Sequence, residues 1–447
     1  MTASPPGPTS SPDAREVRRA VVCGTVGNAI EAYDFLIYAL VAPLVFPAVF
    51  FPAQDRTLGV LLAFSTYFVA FLARPLGAVF FGHFGDRIGR KRTLVATILL
   101  MGIGTVGVGL VPGYAAIGPA GAWLLVGLRL LSGFAFGGEW TGSTLLVLES
   151  VGTRRGGFLT SFAQAANPIG MAMSTFAVLA LTVATDRAEL LAWAWRVPFL
   201  LSVVLVALGL WMRLKVHETP EFAELAAAGE VVRAPVLEVF RRQPGALGLT
   251  LLVKLAEMVA YYIFTVFILS FAATAGLDRT FLLITVALSA LAAAAVMPLA
   301  GWLGDRVGAE RVFIGAALLT AVFVFGYFPV LLGGGRPAAA LVVLVSLLLF
   351  AGMFAVEGVI LSRVFHRNWR YSGGALAFNL AGVVGAGPAP LIATVLTSGG
   401  STGWLSGYVA VCCLVGAGAA AVLLSRRRAA EASGASATRL GAGGRPS

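Results

Sequence analysis

The sequence predicts an all-α integral membrane protein, with twelve transmembrane helices in two pseudo-symmetric six-helix bundles. Three observations carry that expectation. Of the 447 residues, 58% are hydrophobic and only 12% are charged, against roughly 25% charged in an average soluble chain. Twelve apolar runs are each long enough to cross a bilayer, which takes ~20 mostly apolar residues. A Gly-Asp-Arg motif recurs about half a chain later, so the two halves repeat. With a mean hydropathy of +0.89, an ordinary soluble enzyme and a disordered chain are excluded, because there is too little polar surface to cover or solvate the mass.

Taken in order, the runs lie at about 20–47, 58–82, 93–112, 122–149, 157–183, 196–214, 247–274, 280–302, 311–332, 337–362, 373–397 and 403–425. Runs longer than the bilayer is thick tilt or bend. Pro43, Pro75, Pro168, Pro298 and Pro388 supply bends that a bundle accommodates. The longest polar stretch, 215–246, separates six runs from six. The expected organisation is an N-terminal tail (1–19), an N-terminal bundle (20–214), a central loop (215–246), a C-terminal bundle (247–425) and a C-terminal tail (426–447). Both tails are expected to be disordered, one Pro/Ser-rich and the other Gly/Ala-rich, and no cleavable signal is expected in residues 1–14.

The formal net charge is +11 and the pI is near 10.1, values that in a soluble protein would suggest nucleic acid. With both termini placed in the cytoplasm, 24 of the 32 Lys and Arg residues fall in cytoplasmic segments and five in outer segments, while Arg74, Arg129 and Lys254 lie within spans. Basic residues collect on the cytoplasmic side of membrane proteins. That asymmetry accounts for the charge and makes nucleic acid unnecessary. The expected location is a bacterial cytoplasmic membrane, with both ends inside. Cys23, Cys412 and Cys413 form no disulfide framework or C-x-x-C pair. His83, His217 and His366 are dispersed along cytoplasmic edges, so no metal and no cofactor is expected.

The repeat is the most specific signal. Gly82-x-x-Gly85-Asp86-Arg87-x-Gly89-x-x-Arg92 recurs as Gly301-x-x-Gly304-Asp305-Arg306-x-Gly308-x-x-Arg311, an offset of 219. Each copy follows the second span of its half. Duplicated halves around a central cavity are a transporter architecture. Glycines suit a tight loop. Asp86 is placed to meet the positive end of a helix or an Arg, while Arg90, Lys91 and Arg92 hold the cytoplasmic face. The segment resembles the loop between helices two and three of the major facilitator superfamily. That resemblance implies the major facilitator fold and a cytoplasmic gate of Gly82, Asp86, Arg87, Gly89, Arg90 and Lys91, with Asp305 and Arg306 in the second copy. It also implies a partner for Asp86 near Ser372 and Gly373, at the start of the eleventh helix. Ala309 and Glu310 replace basic residues in the second copy, so a weaker latch is expected there.

Further stretches narrow the resemblance. Gly27-Asn28-Ala29-Ile30-Glu31-Ala32-Tyr33-Asp34-Phe35, Arg74-Pro75-Leu76-Gly77, Arg129-x3-Gly133-x3-Gly137-Gly138-Glu139-Trp140 and Trp195-Arg196-Val197-Pro198-Phe199 resemble the metabolite:proton symporter family. The resemblance spans about residues 15–425. Its members carry shikimate, 2-oxoglutarate, citrate, and proline or betaine. Tyr261-Tyr262-Ile263-Phe264-Thr265 and Arg370-Tyr371-Ser372-Gly373-Gly374 are similar to the shikimate-permease-like branch. Ala32 departs from the aromatic residue often found there, which alters the expected cavity wall.

An ionisable group at membrane mid-depth costs several kcal/mol unless paired or watered, so such groups are the first functional candidates. Glu31 and Asp34 are three residues apart and expected on one face. Two nearby carboxylates do not both ionise easily without a cation, which suits a proton carrier. Arg74 is placed to pair with either acid or to fork onto a substrate carboxylate. Arg129 shares a face with Gly133 and Gly137, which permit close helix approach; the superfamily resemblance implies that Arg129 helps proton coupling. Glu139 and Glu357 are near-equivalent under the 219-residue offset. Lys254, Glu257, Tyr261 and Thr265 share a face, and Lys254–Glu257 reads equally as a local ion pair. Gln164 and Asn167 in span five and Asn379 in span eleven read as substrate ligands or as helix glue.

The expectation is a secondary active transporter, not an enzyme, importing a small organic acid with protons across the lipid bilayer by alternating access. The proton-coupling candidates are Glu31, Asp34, Arg129, Glu139, Glu257 and Glu357. The substrate candidates are Tyr33, Arg74, Trp140, Gln164, Asn167, Lys254, Tyr261, Tyr262 and Asn379. No nucleotide-binding Gly-rich loop with Lys is present, so an ion gradient supplies the energy. A monomer is expected. The alternative cargo is proline or betaine, on a cation-binding surface of Tyr33, Trp140, Tyr261 and Tyr262. Drug efflux ranks lower, because Asn167-Pro168-Ile169-Gly170 is not the fuller motif of drug antiporters.

Overall fold

The computed structural model describes residues 14–88, 90–137, 156–214, 235–272, 275–365 and 370–442. Every long element among them is a helix, and no β-strand occurs among the described residues. The twelve principal helices are α1 (Ala14–Val49), α2 (Arg56–Ile88), α3 (Arg90–Leu110), α4 (Ala120–Phe136), α5 (Gly156–Ala184), α6 (Val197–Leu214), α7 (Pro244–Phe271), α8 (Arg279–Val307), α9 (Ala309–Gly333), α10 (Gly335–Val364), α11 (Ser372–Thr397) and α12 (Gly403–Ala442). Ten helices are long and apolar enough to cross a membrane, and α3 and α4 add shorter apolar stretches, Val95–Leu110 and Ala120–Phe136. Large apolar side chains on the outer faces, such as Leu76, Ile103, Val204 and Val322, are exposed. Lipid is the solvent that makes such a surface favourable. Trp123, Trp193 and Trp404 are also exposed near helix ends, where amphipathic rings anchor a protein at the membrane interface.

In the first half, α1 packs on α2, α5 and α6, α2 on α4, and α3 on α4 and α6. In the second, α9 packs on α10 and α12, α8 on α10, and α7 on α12. The halves meet where α5 lies along α8 and α2 along α11. The 219-residue offset turns one of these contacts into the other. At the α2–α4 crossing the Arg129 stripe is decisive. A Cβ on Gly133 would overlap the backbone of Ala70, and one on Gly137 the backbone of Arg74. Only glycine lets the two helices approach this closely.

Several boundaries differ from the sequence expectation. The first helix starts at Ala14, inside the expected tail. The last helix continues to Ala442, because an Ala-rich run is a strong helix former. Part of the central loop is the helix Pro235–Arg242, with an Arg242–Glu238 ion pair one turn apart; residues 215–234 lie outside the described residues. The glycines of the repeat do not form a loop. Gly301 and Gly304 lie within α8, and the chain turns at Gly308, whose φ of +103° favours glycine. Single π-helical turns interrupt α7 at Ile263–Phe267 and α11 at Gly382–Ala386, a feature frequent near functional sites.

Candidate functional site

A cavity of about 50 Å³ lies between the two halves. A single water needs roughly 10–15 Å³ of such space, so the cavity has room for a few waters, and an organic substrate needs the halves to move apart. Its polar lining comes from Asn28 and Glu31 of α1, Arg74 of α2, Gln164 and Asn167 of α5, and Lys254, Glu257, Tyr261 and Tyr262 of α7. Phe35, Phe136, Phe354 and Phe378 close the walls.

The second half contributes a three-membered ionic cluster. Lys254 Nζ donates to Glu257 Oε2 at 2.7 Å and to Glu357 Oε2 at 2.6 Å. Glu257 is one helical turn away on α7, whereas Glu357 comes from α10, so one ammonium ties two helices. All three side chains are at most 4% exposed. The Lys254 ammonium also lies 4.4 Å from the Phe354 ring centroid and 5.2 Å from that of Phe378. The local pair read from the sequence is therefore half of a cluster, and Glu357 Oε1 has no hydrogen-bond partner.

The first half contributes a different kind of cation. The Arg74 guanidinium carbon lies 4.0 Å from the Phe35 ring centroid, 4.2 Å from Phe71 and 4.0 Å from Phe136. Desolvated cation–π contacts stabilise by ~2 kcal/mol. Among the described residues no carboxylate comes within ion-pair distance of Arg74, which corrects the expected pairing with Glu31 or Asp34. Arg74 is 2% exposed and faces the cavity.

Glu31 and Asp34 also part company. Three residues on a helix leave side chains ~60° apart in projection. Glu31 faces the cavity, while the fully buried Asp34 turns to α6, where its Oδ1 accepts from Ser202 Oγ at 2.5 Å. Asp34 is within Coulombic reach of Arg129. The Arg129 guanidinium lies 4.1 Å from the Tyr38 ring centroid. Tyr38 in turn donates its hydroxyl to Thr66 at 2.7 Å.

Two expected substrate ligands are engaged elsewhere. Tyr33 donates its hydroxyl to the Pro198 carbonyl at 3.0 Å, so it joins α1 to the start of α6. Asn379 Nδ2 donates to the Gly137 carbonyl at 3.0 Å and to the Ala375 carbonyl at 2.9 Å. Neither lines the cavity. Gln164 does both jobs: its Nε2 donates to the Phe354 carbonyl at 3.2 Å across the halves, while its Oε1 has no partner. Asn167 Oδ1, Tyr261 Oη and Arg74 Nε are likewise buried without a partner. Glu139, Trp140 and Gly89 lie outside the described residues, as do the side chains of Asp86, Arg87, Arg90 and Lys91 and the glycine Gly82. The sequence reading passed over Ser202, an isolated serine in an apolar run, and the phenylalanines, whose spacing reads as ordinary core.

At the other end of α8, the second copy of the repeat makes a contact between the halves. Asp305 Oδ1 accepts the N–H of Gly157 at 2.8 Å, and Oδ2 that of Phe158 at 2.9 Å. The carboxylate thus caps the positive start of α5. The contact is made by a carboxylate and helix N–H groups, without the basic residues that Ala309 and Glu310 replace. Glu310, which stands in for one of them, instead pairs with Arg427 of α12 at 2.9 Å.

Two repeated helical halves around a buried, charge-lined cavity define a membrane transporter. The profile of the Major Facilitator Superfamily matches residues 26–388. The chain belongs to that superfamily and is a multi-pass membrane transporter, not an enzyme. It is 37% identical to the inner membrane metabolite transport protein YhjE of Escherichia coli, over 88% of this chain and 90% of that one. It is 36% identical to the Escherichia coli shikimate transporter, over 92% and 95% of the two chains. It is 30% identical to the Escherichia coli proline/betaine transporter, over 86% and 78%. The fold matches a partially occluded, inward-open structure of the xylose transporter XylE from E. coli, with a TM-score of 0.69, 19% identity, and coverage of 92% and 98%.

Proposed function

We propose that this transporter imports a small organic anion together with protons, by rocking its two halves around the central cavity. The observation that carries the reading is Arg74. A permanently charged guanidinium, buried among phenylalanine rings, facing the cavity and with no carboxylate in ion-pair distance among the described residues, is a site for a substrate carboxylate. Gln164, Asn167, Tyr261 and Tyr262 supply the polar groups that orient the rest of the molecule. Lys254 adds a second positive charge. The buried acids Glu31, Asp34, Glu257 and Glu357 are the groups that exchange protons, with Arg129 beside Asp34. The 36% identity to a shikimate transporter supports a hydroxylated carboxylate as cargo. Identity to an inner membrane protein supports a bacterial inner membrane, and the Lys and Arg asymmetry supports cytoplasmic termini. We take the protein to work as a monomer.

Proline or betaine is the alternative, favoured by the 30% identity to a proline/betaine transporter. Against it, the Phe35, Phe136, Phe354 and Phe378 rings of the cavity wall already meet the protein's own cations, Arg74 and Lys254. The test is uptake of radiolabelled shikimate, 2-oxoglutarate and betaine into proteoliposomes with an inward proton gradient. Gradient-stimulated shikimate or 2-oxoglutarate uptake supports the anion reading. Uptake indifferent to the gradient removes symport, and betaine alone would replace the cargo.

A further inference from the structure

The buried charges of the two halves do not balance alike. In the first half, Asp34 faces one cation, Arg129. In the second, Glu257 and Glu357 share the single ammonium of Lys254. With both glutamates ionised, one negative charge is left over among side chains at most 4% exposed, a placement that lipid-embedded protein strongly disfavours. The charged groups acting on Glu357 are Lys254 and Glu257 of α7. Phe354 of α10, Phe378 of α11 and Gln164 of α5, whose amide bonds the Phe354 carbonyl, are neutral neighbours of the cluster. Arg74 and Glu31 line the same cavity from the other half.

We propose that Glu257, Lys254 and Glu357 form a one-proton site, and that its proton is the one moved with substrate; this rests on the proton-coupled reading above. Glu257 lines the cavity and gives the proton its entry. Glu357 Oε1, without a partner, gives it a second resting place. An O–H bond forms on one glutamate while the other stays a carboxylate against Lys254. On the opposite side of the membrane that O–H bond breaks, the proton returns to water, and both carboxylates again share the ammonium. The proton belongs to the pair rather than to one acid. Lys254 is a positioning residue: it keeps its charge throughout and tethers α10 to α7. A monocarboxylate on Arg74 adds one negative charge to the cavity and the proton removes one, so the two enter together without a change in net charge.

The test uses the full-length wild type, Glu257→Gln and Glu357→Gln. Infrared titration of the purified proteins without substrate reads protonated carboxyl groups directly. The wild type is expected to hold one buried protonated carboxyl more than either glutamine variant. In proteoliposomes, an inward proton gradient is expected to raise radiolabelled shikimate uptake about tenfold in the wild type, within the range of ordinary coupling. The same gradient is expected to leave the rate of either glutamine variant at its no-gradient value. A carboxyl band as strong in both glutamine variants as in the wild type overturns the site, as does gradient-driven uptake in both. A wild type that ignores the gradient removes the proton-symport reading instead, and the infrared arm then still decides the proton site.

Discussion

Gln164 of α5 donates its side-chain amide to the carbonyl of Phe354 on α10 at 3.2 Å. Asn379 of α11 does the same to Gly137, just past α4, at 3.0 Å. The 219-residue offset relates α5 to α11 and α4 to α10, so one bond is the counterpart of the other across the halves. Each hydrogen bond stabilises by ~0.5–1.5 kcal/mol net. Replacing either residue with Leu is expected to shift the balance of open and closed states by about two- to tenfold per site. Distance distributions between spin labels on α4 and α10 would report the shift. Unchanged distributions in both variants would mean that the two amides only glue the helices locally.

Arg74 sets a planar guanidinium over three phenylalanine rings, a contact that an ammonium does not reproduce. Arg74→Lys keeps the charge but loses the fit to Phe35, Phe71 and Phe136. The expected result is a rise in the apparent KM for the organic anion of about tenfold, equivalent to ~1.4 kcal/mol. Arg74→Ala is expected to abolish saturable uptake. Wild-type KM in both variants would remove Arg74 from the substrate site.

Asp305 caps α5 with two N–H bonds from Gly157 and Phe158. Such a carboxylate at a helix start contributes up to ~2 kcal/mol. Asp305→Ala is expected to loosen the end of the molecule that carries the repeat. A cysteine introduced at Ser161 should then react faster with a membrane-impermeant thiol reagent. No change in reactivity would confine Asp305 to local helix capping.

The buried Glu310 carboxylate holds Arg427 through both oxygens, at 2.9 and 3.0 Å. Arg427→Ala leaves that carboxylate without its partner, at a cost of ~1–3 kcal/mol. Lower thermal stability of the purified protein is the expected readout. The exchanged pair Glu310→Arg with Arg427→Glu should recover part of the loss. An exchanged pair no better than the single variant would show that packing, not pairing, sets the stability.

Much of this was legible in order. Run lengths place the helices, since a helix in lipid must satisfy its own backbone and be long enough to cross. The offset between Asp86 and Asp305 announces the duplication. Spacing alone also puts Lys254 beside Glu257. The partners from distant segments were not legible. Glu357 is 103 residues from Lys254, and Ser202 is 168 from Asp34; only packing brings them together. Helical periodicity likewise put Glu31 and Asp34 on one face, yet a narrow cavity admits only the first.

The sequence by itself determined a duplicated, lipid-solvated helical transporter and the short list of charged residues that lipid would not tolerate without a purpose. Tertiary structure decided what each charge meets: rings for Arg74, a hydroxyl for Asp34, two carboxylates for Lys254. The physical reason is that burial cost is a property of the residue and can be read locally. Relief of that cost is a property of neighbours, and in a bundle the neighbours come from other helices.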